Sequence, residues 1–128
     1  MKLDKKILLL PFTLLAMLLS PAAVAVYPEK PVRTVISYPP GGSTDLIGRL
    51  VMSQVSKIAG QEFVIDNRGG AAGSIAAAMV ARAAPDGYTV LVHSASMLST
   101  PHLMKLPYDT FRDFIPVGTM AQQVFMLA

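Results

Sequence analysis

The stretch "VRTVISYPPGGSTDLIGRL", Val32 to Leu50, sets the reading of the whole chain. Its first half is a strand: Val32, Val35 and Ile36 are β-formers, and Pro39-Pro40 ends the extended run that reaches Tyr38. Its second half opens a helix, because Leu46, Ile47, Leu50, Val51, Val55 and Ile58 recur three and four residues apart until Gly60 stops them. Between strand and helix lies a turn made of Pro39, Pro40, Gly41, Gly42, Ser43, Thr44 and Asp45, pliable in its backbone and rich in small polar groups.

The alternation then repeats. "EFVID" (Glu62 to Asp66) reads as a second strand bounded by Gly60 and Asn67, with "NRGGAAG" as the loop after it. "SIAAAMVARAA" (Ser74 to Ala84) has the highest helix propensity in the chain; Ser74 or a neighbour can cap it, and Pro85-Asp86-Gly87 ends it. "YTVLVHS" (Tyr88 to Ser94) is a third strand whose almost continuous apolar centre suits burial on both faces. Strand, helix, strand, helix, strand makes two successive βαβ units with right-handed crossovers. The expected fold class is therefore α/β, an open, mainly parallel sheet flanked by helices. Beyond Ser94 the pattern weakens to a short helical turn around Pro101 and a loop over Leu106 to Phe114.

The first 25 residues are expected to be a secretory signal peptide. Lys2, Lys5 and Lys6 give a positive end, Ile7 to Leu19 an apolar run too short to span a bilayer and broken by Pro11, and Ala23-Val24-Ala25 a small-x-small cleavage site. Without that segment eight basic residues face seven acidic ones, so the basic balance of the chain belongs largely to its leader. The remaining cations are scattered singly, which argues against nucleic acid as a partner. With no Cys the exported chain builds no disulfide and has no thiol for lipid attachment. The expectation is a periplasmic protein whose mature part does not insert into the membrane. The chain stops at "QQVFMLA", an apolar run with no cap, polar tail or turn signal, and reads there as an interruption.

Open parallel sheets bind ligands at the carboxyl ends of their strands. Three small-residue loops fall there, and they supply the candidate binding residues: Tyr38, Pro40, Gly41, Gly42, Ser43 and Thr44 from the first, Gly73 and Ser74 from the second, Ser94 and Ser96 from the third. Glycine lets a ligand approach backbone N–H groups, hydroxyls add orientable hydrogen bonds, and two of the loops open into helix N-termini that favour negative charge. This chemistry suits a small anion held by neutral donors. Arg68 is the one cation of these loops and is expected to be solvated or paired with Asp66; Asp45, in the first helical turn, is expected to be structural.

Nothing in the sequence marks a catalytic residue, a cofactor or a metal site. "GGSTD" lacks the Lys and length of a Walker A loop, "GGAAG" does not fit G-x-G-x-x-G, no G-x-S-x-G occurs, and His93 and His102 do not have a metal-ligand spacing. A binding protein rather than an enzyme is expected. The alternatives are a secreted α/β enzyme acting on a small anionic substrate through Ser43 or His93, and a structural or interaction module.

Three stretches also carry a family resemblance: "YPEKPVRTVISYPPGGSTDLIGRL", "GQEFVIDNRGGAAGSIAAAMVARAAPDGYTVL" and "LPYDTFRDFIPVG". In order and spacing they resemble the N-terminal part of the extracytoplasmic solute receptors of tripartite tricarboxylate transporters, the Bug family. The resemblance implies a two-lobed periplasmic binding protein of type II-like architecture that closes around a small organic carboxylate and passes it to membrane subunits. It makes residues 26–120 the N-terminal part of the first lobe and residues 121–128 the start of a connection to a second lobe that the chain does not contain. The sequence departs from the family pattern at Gly69, where proline is usual, at Ala72, where glycine is usual, and at His93, where glycine is common.

Overall fold

The computed structural model describes residues 26–122; the expected signal peptide and all but the first two residues of the expected connection lie outside the described residues. β1 (Val32–Ile36) pairs in parallel with β2 (Phe63–Asn67) on one side and β3 (Thr89–Val92) on the other, giving the order β2-β1-β3. α1 (Ser43–Ala59) joins β1 to β2, α2 (Ser74–Ala81) joins β2 to β3, and α3 (Ser96–Leu103) follows β3. The sequence-based α/β class with a parallel sheet flanked by helices is what the chain adopts.

β1 is the centre of the core. Val32, Thr34, Val35 and Ile36 have no solvent exposure. Alternate residues of a strand face opposite sides, and both sides are covered. Ile36 faces α1, where an added Cβ on Gly48 would lie 2.9 Å from Ile36 Cδ1 and 3.5 Å from Val92 Cγ1, so the glycine is what lets this helix seat on the sheet. Arg33 faces the other way, with Nη2 3.6 Å from Met79 Sδ of α2. Helices on opposite faces follow when one right-handed crossover leaves β1 in one direction and the next returns past it in the other. Burial of Val32, Val35 and Ile36 contributes about 1.5–3 kcal/mol each.

The double-sided burial expected of the third strand belongs to β1 instead. Among the described residues β3 is an edge strand, with Thr89, Val90 and Leu91 only half-buried. The apolar stripe read along the first helix is likewise divided. Among the described residues Asp45, Gly48 and Met52 form its buried line, whereas Leu46, Leu50 and Ile58 are exposed.

Helix ends follow backbone chemistry. Gly60 takes the left-handed conformation (φ 68°) and donates its N–H to the Ser56 carbonyl, closing α1. α2 is entered through a 3-10 turn (Ala71–Gly73), and Gly73 rather than Ser74 holds the cap position, with no side-chain cap. The helix stops three residues before the expected Ala84. Arg82 and Ala83 instead donate to carbonyls three residues back, tightening the last turn ahead of Pro85.

At the amino edge of the sheet the lead-in is latched by aromatics. Tyr27 stacks on Tyr88 with ring centroids 5.2 Å apart and donates its hydroxyl to the Gly87 carbonyl; the Tyr88 hydroxyl accepts the Glu29 N–H. Lys30 Nζ sits 4.3 Å from the centre of the Tyr88 ring. The Tyr88 carbonyl still accepts the Arg33 N–H at 2.9 Å, so the latch holds the lead-in against the start of β3.

Candidate functional site

The sheet order brings the first and third loops together. Ile36 is in register with Val92, so two residues further along each strand Tyr38 and Ser94 meet. The Tyr38 hydroxyl lies 2.8 Å from Ser94 Oγ and 2.7 Å from Ser96 Oγ, and the two serine oxygens are 2.9 Å apart. Three half-buried hydroxyls thus form a triangle over the crevice between β1 and β3. In a sheet of order 2-1-3 that crevice is the topological switch point, where open α/β sheets receive ligands.

The second loop closes the arrangement from the side. An added Cβ on Gly69 would lie 3.1 Å from Pro39 Cδ, so the loop backbone rests on the first loop's proline. Gly73, at φ 88°, is buried; an added Cβ there would collide with His93 Nε2 and lie 3.1 Å from Ser37 Cβ. Ser74 is buried beside it at the start of α2.

A polar lock fixes the first loop. Asp45, only 2% exposed, accepts the Gly41 N–H at 2.9 Å, the Arg49 Nε–H at 2.9 Å and an Asn67 side-chain N–H at 2.8 Å. Asn67 also donates to the Tyr38 carbonyl, and Arg49 to the Asn67 side-chain oxygen. The Arg49 hydrogen bond first, then those from Gly41 and Asn67, hold the Asp45 carboxyl down at about 2 against the opposing effect of burial. Asp45 therefore stays ionised and shapes the turn. Of the ten expected site residues, Tyr38, Ser94 and Ser96 touch one another; Pro40, Gly41, Gly42 and Ser43 are exposed and Thr44 half-exposed at the mouth of α1. The Gly41 N–H is already engaged with Asp45, which leaves the first-turn N–H groups of α1 as that loop's open donors.

Arg68 pairs with Asp66, Nε to Oδ1 at 2.8 Å, and Arg33 shares the same carboxylate. Hydrogen bonding from Arg33 chiefly, with a smaller part from Arg68, holds Asp66 below the ordinary carboxylate range, with burial opposing. Asn67 and Arg49 were not expected at the site. Their only sequence signals are the i,i+4 spacing of Asp45 and Arg49 and the place of Asn67 at the end of a strand.

His93 packs edge-on to Tyr38, with ring centroids 5.7 Å apart, and its Nδ1 lies 2.9 Å from the Ser94 carbonyl. Burial pushes its pKa below the ordinary histidine value, against smaller opposing effects of the Ser94 and Gly73 backbones. Among the described residues no hydrogen bond joins it to Ser43. A separate concavity of about 440 Å³, lined by Ser74, Ile75, Ala78, Met79, Arg82 and Pro107, shares only Ser74 with the candidate set. Among the described residues no group of three or more His, Cys, Asp or Glu side chains could hold a metal ion, and no helix is long and apolar enough to cross a membrane.

Residues 47–128 match the tripartite tricarboxylate transporter family receptor. The chain belongs to that family. Its relatives include the protein BugT of Bordetella pertussis, 32% identical over 111 residues that make up 84% of this chain and 34% of that protein. Among solved structures, MatC of Rhodopseudomonas palustris with bound malate is 38% identical with a TM-score of 0.62, over 71% of this chain and 32% of that one. The R. palustris protein Rpa4515 with adipate is 40% identical with a TM-score of 0.55, over 56% of this chain and 24% of that one. This receptor-family chain spans about a third of the length of the curated relatives it matches. The homologues are solute receptors rather than enzymes.

Proposed function

We propose that the chain supplies the first ligand-binding lobe of a periplasmic receptor, exported by a cleaved signal peptide, that captures a small organic carboxylate and delivers it to the membrane subunits of a tripartite tricarboxylate transporter. The observation that carries this reading is the Tyr38–Ser94–Ser96 hydroxyl triangle at the β1/β3 crevice. It is flanked by the amino ends of α1 and α2, each of which carries partial positive charge toward an anion. Tyr38, Ser94 and Ser96 would orient a carboxylate; Gly42, Ser43 and Thr44 would donate from the first turn of α1, Gly73 and Ser74 from the second loop, with Pro40 and Gly41 shaping the turn. Asp66 holds both Arg33 and Arg68, so recognition on this surface falls to neutral donors. The malate and adipate held by the two solved neighbours are both dicarboxylates, which supports that ligand class. Closure of two lobes over the ligand would exclude water and strengthen each of these hydrogen bonds.

Calorimetric titration of the full chain with a panel of C4 to C6 dicarboxylates, followed by analysis of the recovered ligand, tests the reading. Weak, saturable heat with the ligand returned unchanged is expected, since this chain supplies one of the two closing lobes. A transformed ligand would replace the receptor by an enzyme, and an absence of binding across the panel would remove the carboxylate.

A further inference from the structure

We propose that His93 makes anion capture proton-coupled: when an organic anion seats on the strand-end cluster, one proton from solvent settles on His93 Nε2. The inference rests on reading that cluster as the ligand site. It begins with the tautomer. The Ser94 carbonyl can only accept, so the Nδ1 atom 2.9 Å away carries the proton of the neutral ring. The lone pair is then on Nε2, which is buried and has no hydrogen-bond partner. A buried acceptor facing no donor is the exception in folded proteins and calls for an explanation.

The surroundings are prepared for the protonated ring but lack its counter-charge. The Ser94 and Gly73 backbones both favour the charged form, and what opposes it is burial. The amino end of α2 opposes it too, since Gly73 is that helix's cap and the imidazolium would lie at the positive end of the helix. Among the described residues the ring meets the edge of Tyr38, the side chain of Ser37, the backbone of Gly73 and the backbone of Ser94, and none of these four contacts is with a carboxylate. The carboxylate of the first loop, Asp45, is turned to Gly41, Arg49 and Asn67. In this proposal the ligand brings the counter-charge that these described contacts lack. An anion hydrogen-bonded to Ser94 and Ser96, beside the ring, offsets both the burial and the helix end, because unlike charges attract strongly where water is displaced. The step forms one N–H bond from a solvent proton and transfers no electrons between protein and ligand.

The chain has two histidines, and the exposed His102 of α3 is told apart from His93 by the loss of the latter's signals in His93→Gln. Imidazole NMR titration of the full chain, alone and with malate or adipate, should show the His93 pKa rising by about one unit or more on saturation. Calorimetry near pH 6, in two buffers of different ionisation heat, should show net proton uptake. Affinity should tighten by up to about tenfold for each unit of pH lowered, between the free and bound His93 pKa values. In His93→Gln the buffer-dependent heat and the tightening of affinity toward low pH should both be lost. Saturable binding with an unshifted His93 and equal heats in both buffers overturns the proposal. Absence of binding heat in every buffer overturns the site reading and this proposal with it, and is told apart from the first result by the missing saturation.

Discussion

Replacing Gly73 by alanine tests how the second loop is fitted to the third. Two costs are worked from the structure. The residue sits at φ 88°, in the left-handed region, where a side chain costs about 1–2 kcal/mol. The new Cβ would also collide with His93 Nε2 and lie 2.9 Å from Cε1, with Ser37 Cβ at 3.1 Å on another side. Overpacking of this kind costs about 1–3 kcal/mol, so the total is roughly 2–5 kcal/mol against a domain stability on the order of 5–15 kcal/mol. Urea unfolding followed by far-ultraviolet circular dichroism should show the midpoint falling by about 1–3 M. In a His93→Ala background the ring is gone and the loss should shrink toward the backbone part, about 1–2 kcal/mol, plus what remains of the Ser37 contact. An equal loss in both backgrounds would refute the reasoning, since it would mean that His93 does not occupy the space above Gly73.

Other consequences follow from the same contacts. Asp45 is held at about 2 when folded and returns to about 3.9 when unfolded, so the folded chain binds fewer protons between those values. Its stabilising contribution is complete above about pH 5 and is lost as pH falls through about 2; Asp45→Asn should flatten the acid limb of a plot of urea midpoint against pH. Asn67→Ala leaves the Tyr38 carbonyl and one Asp45 oxygen without their shared donor, and should cost about 1–3 kcal/mol in the same unfolding assay. Tyr38→Phe and Ser94→Ala should each weaken dicarboxylate binding about tenfold by calorimetry, the equivalent of one well-made hydrogen bond. Arg68→Ala should change that affinity little, because its side chain is committed to Asp66.

How much of this was legible in the sequence depends on how local each cause is. β1, Gly60 as the end of α1 and the Pro85 turn are local: a β-branched run, a left-handed glycine and a ring without an N–H mark them. Asp45 was also readable as a structural carboxylate, from its place in a first helical turn. The hydroxyl triangle was readable only in part. Small polar loops at three strand ends were evident, but Tyr38 and Ser94 lie 56 residues apart, and their meeting depends on β3 pairing beside β1 in one register. No periodicity within either segment encodes that pairing. The same gap applies to the third strand: its apolar run fits the parallel pairing that it makes with β1, but does not show that it lies at the edge among the described residues. His93 packs against Gly73 and Tyr38, a contact between two loops that only the fold brings together.

The claim that neutral donors at the strand ends hold a small organic carboxylate is tested most directly by mapping a titration residue by residue. Amide NMR spectra of the full chain, recorded while malate or adipate is added to saturation, should show the largest saturable shifts at Gly42 to Thr44, Gly73, Ser74 and Ser94 to Ser96. Shifts confined to Ile75, Ala78, Met79 and Arg82, along the separate concavity, or no saturable shift with either ligand, would contradict the account.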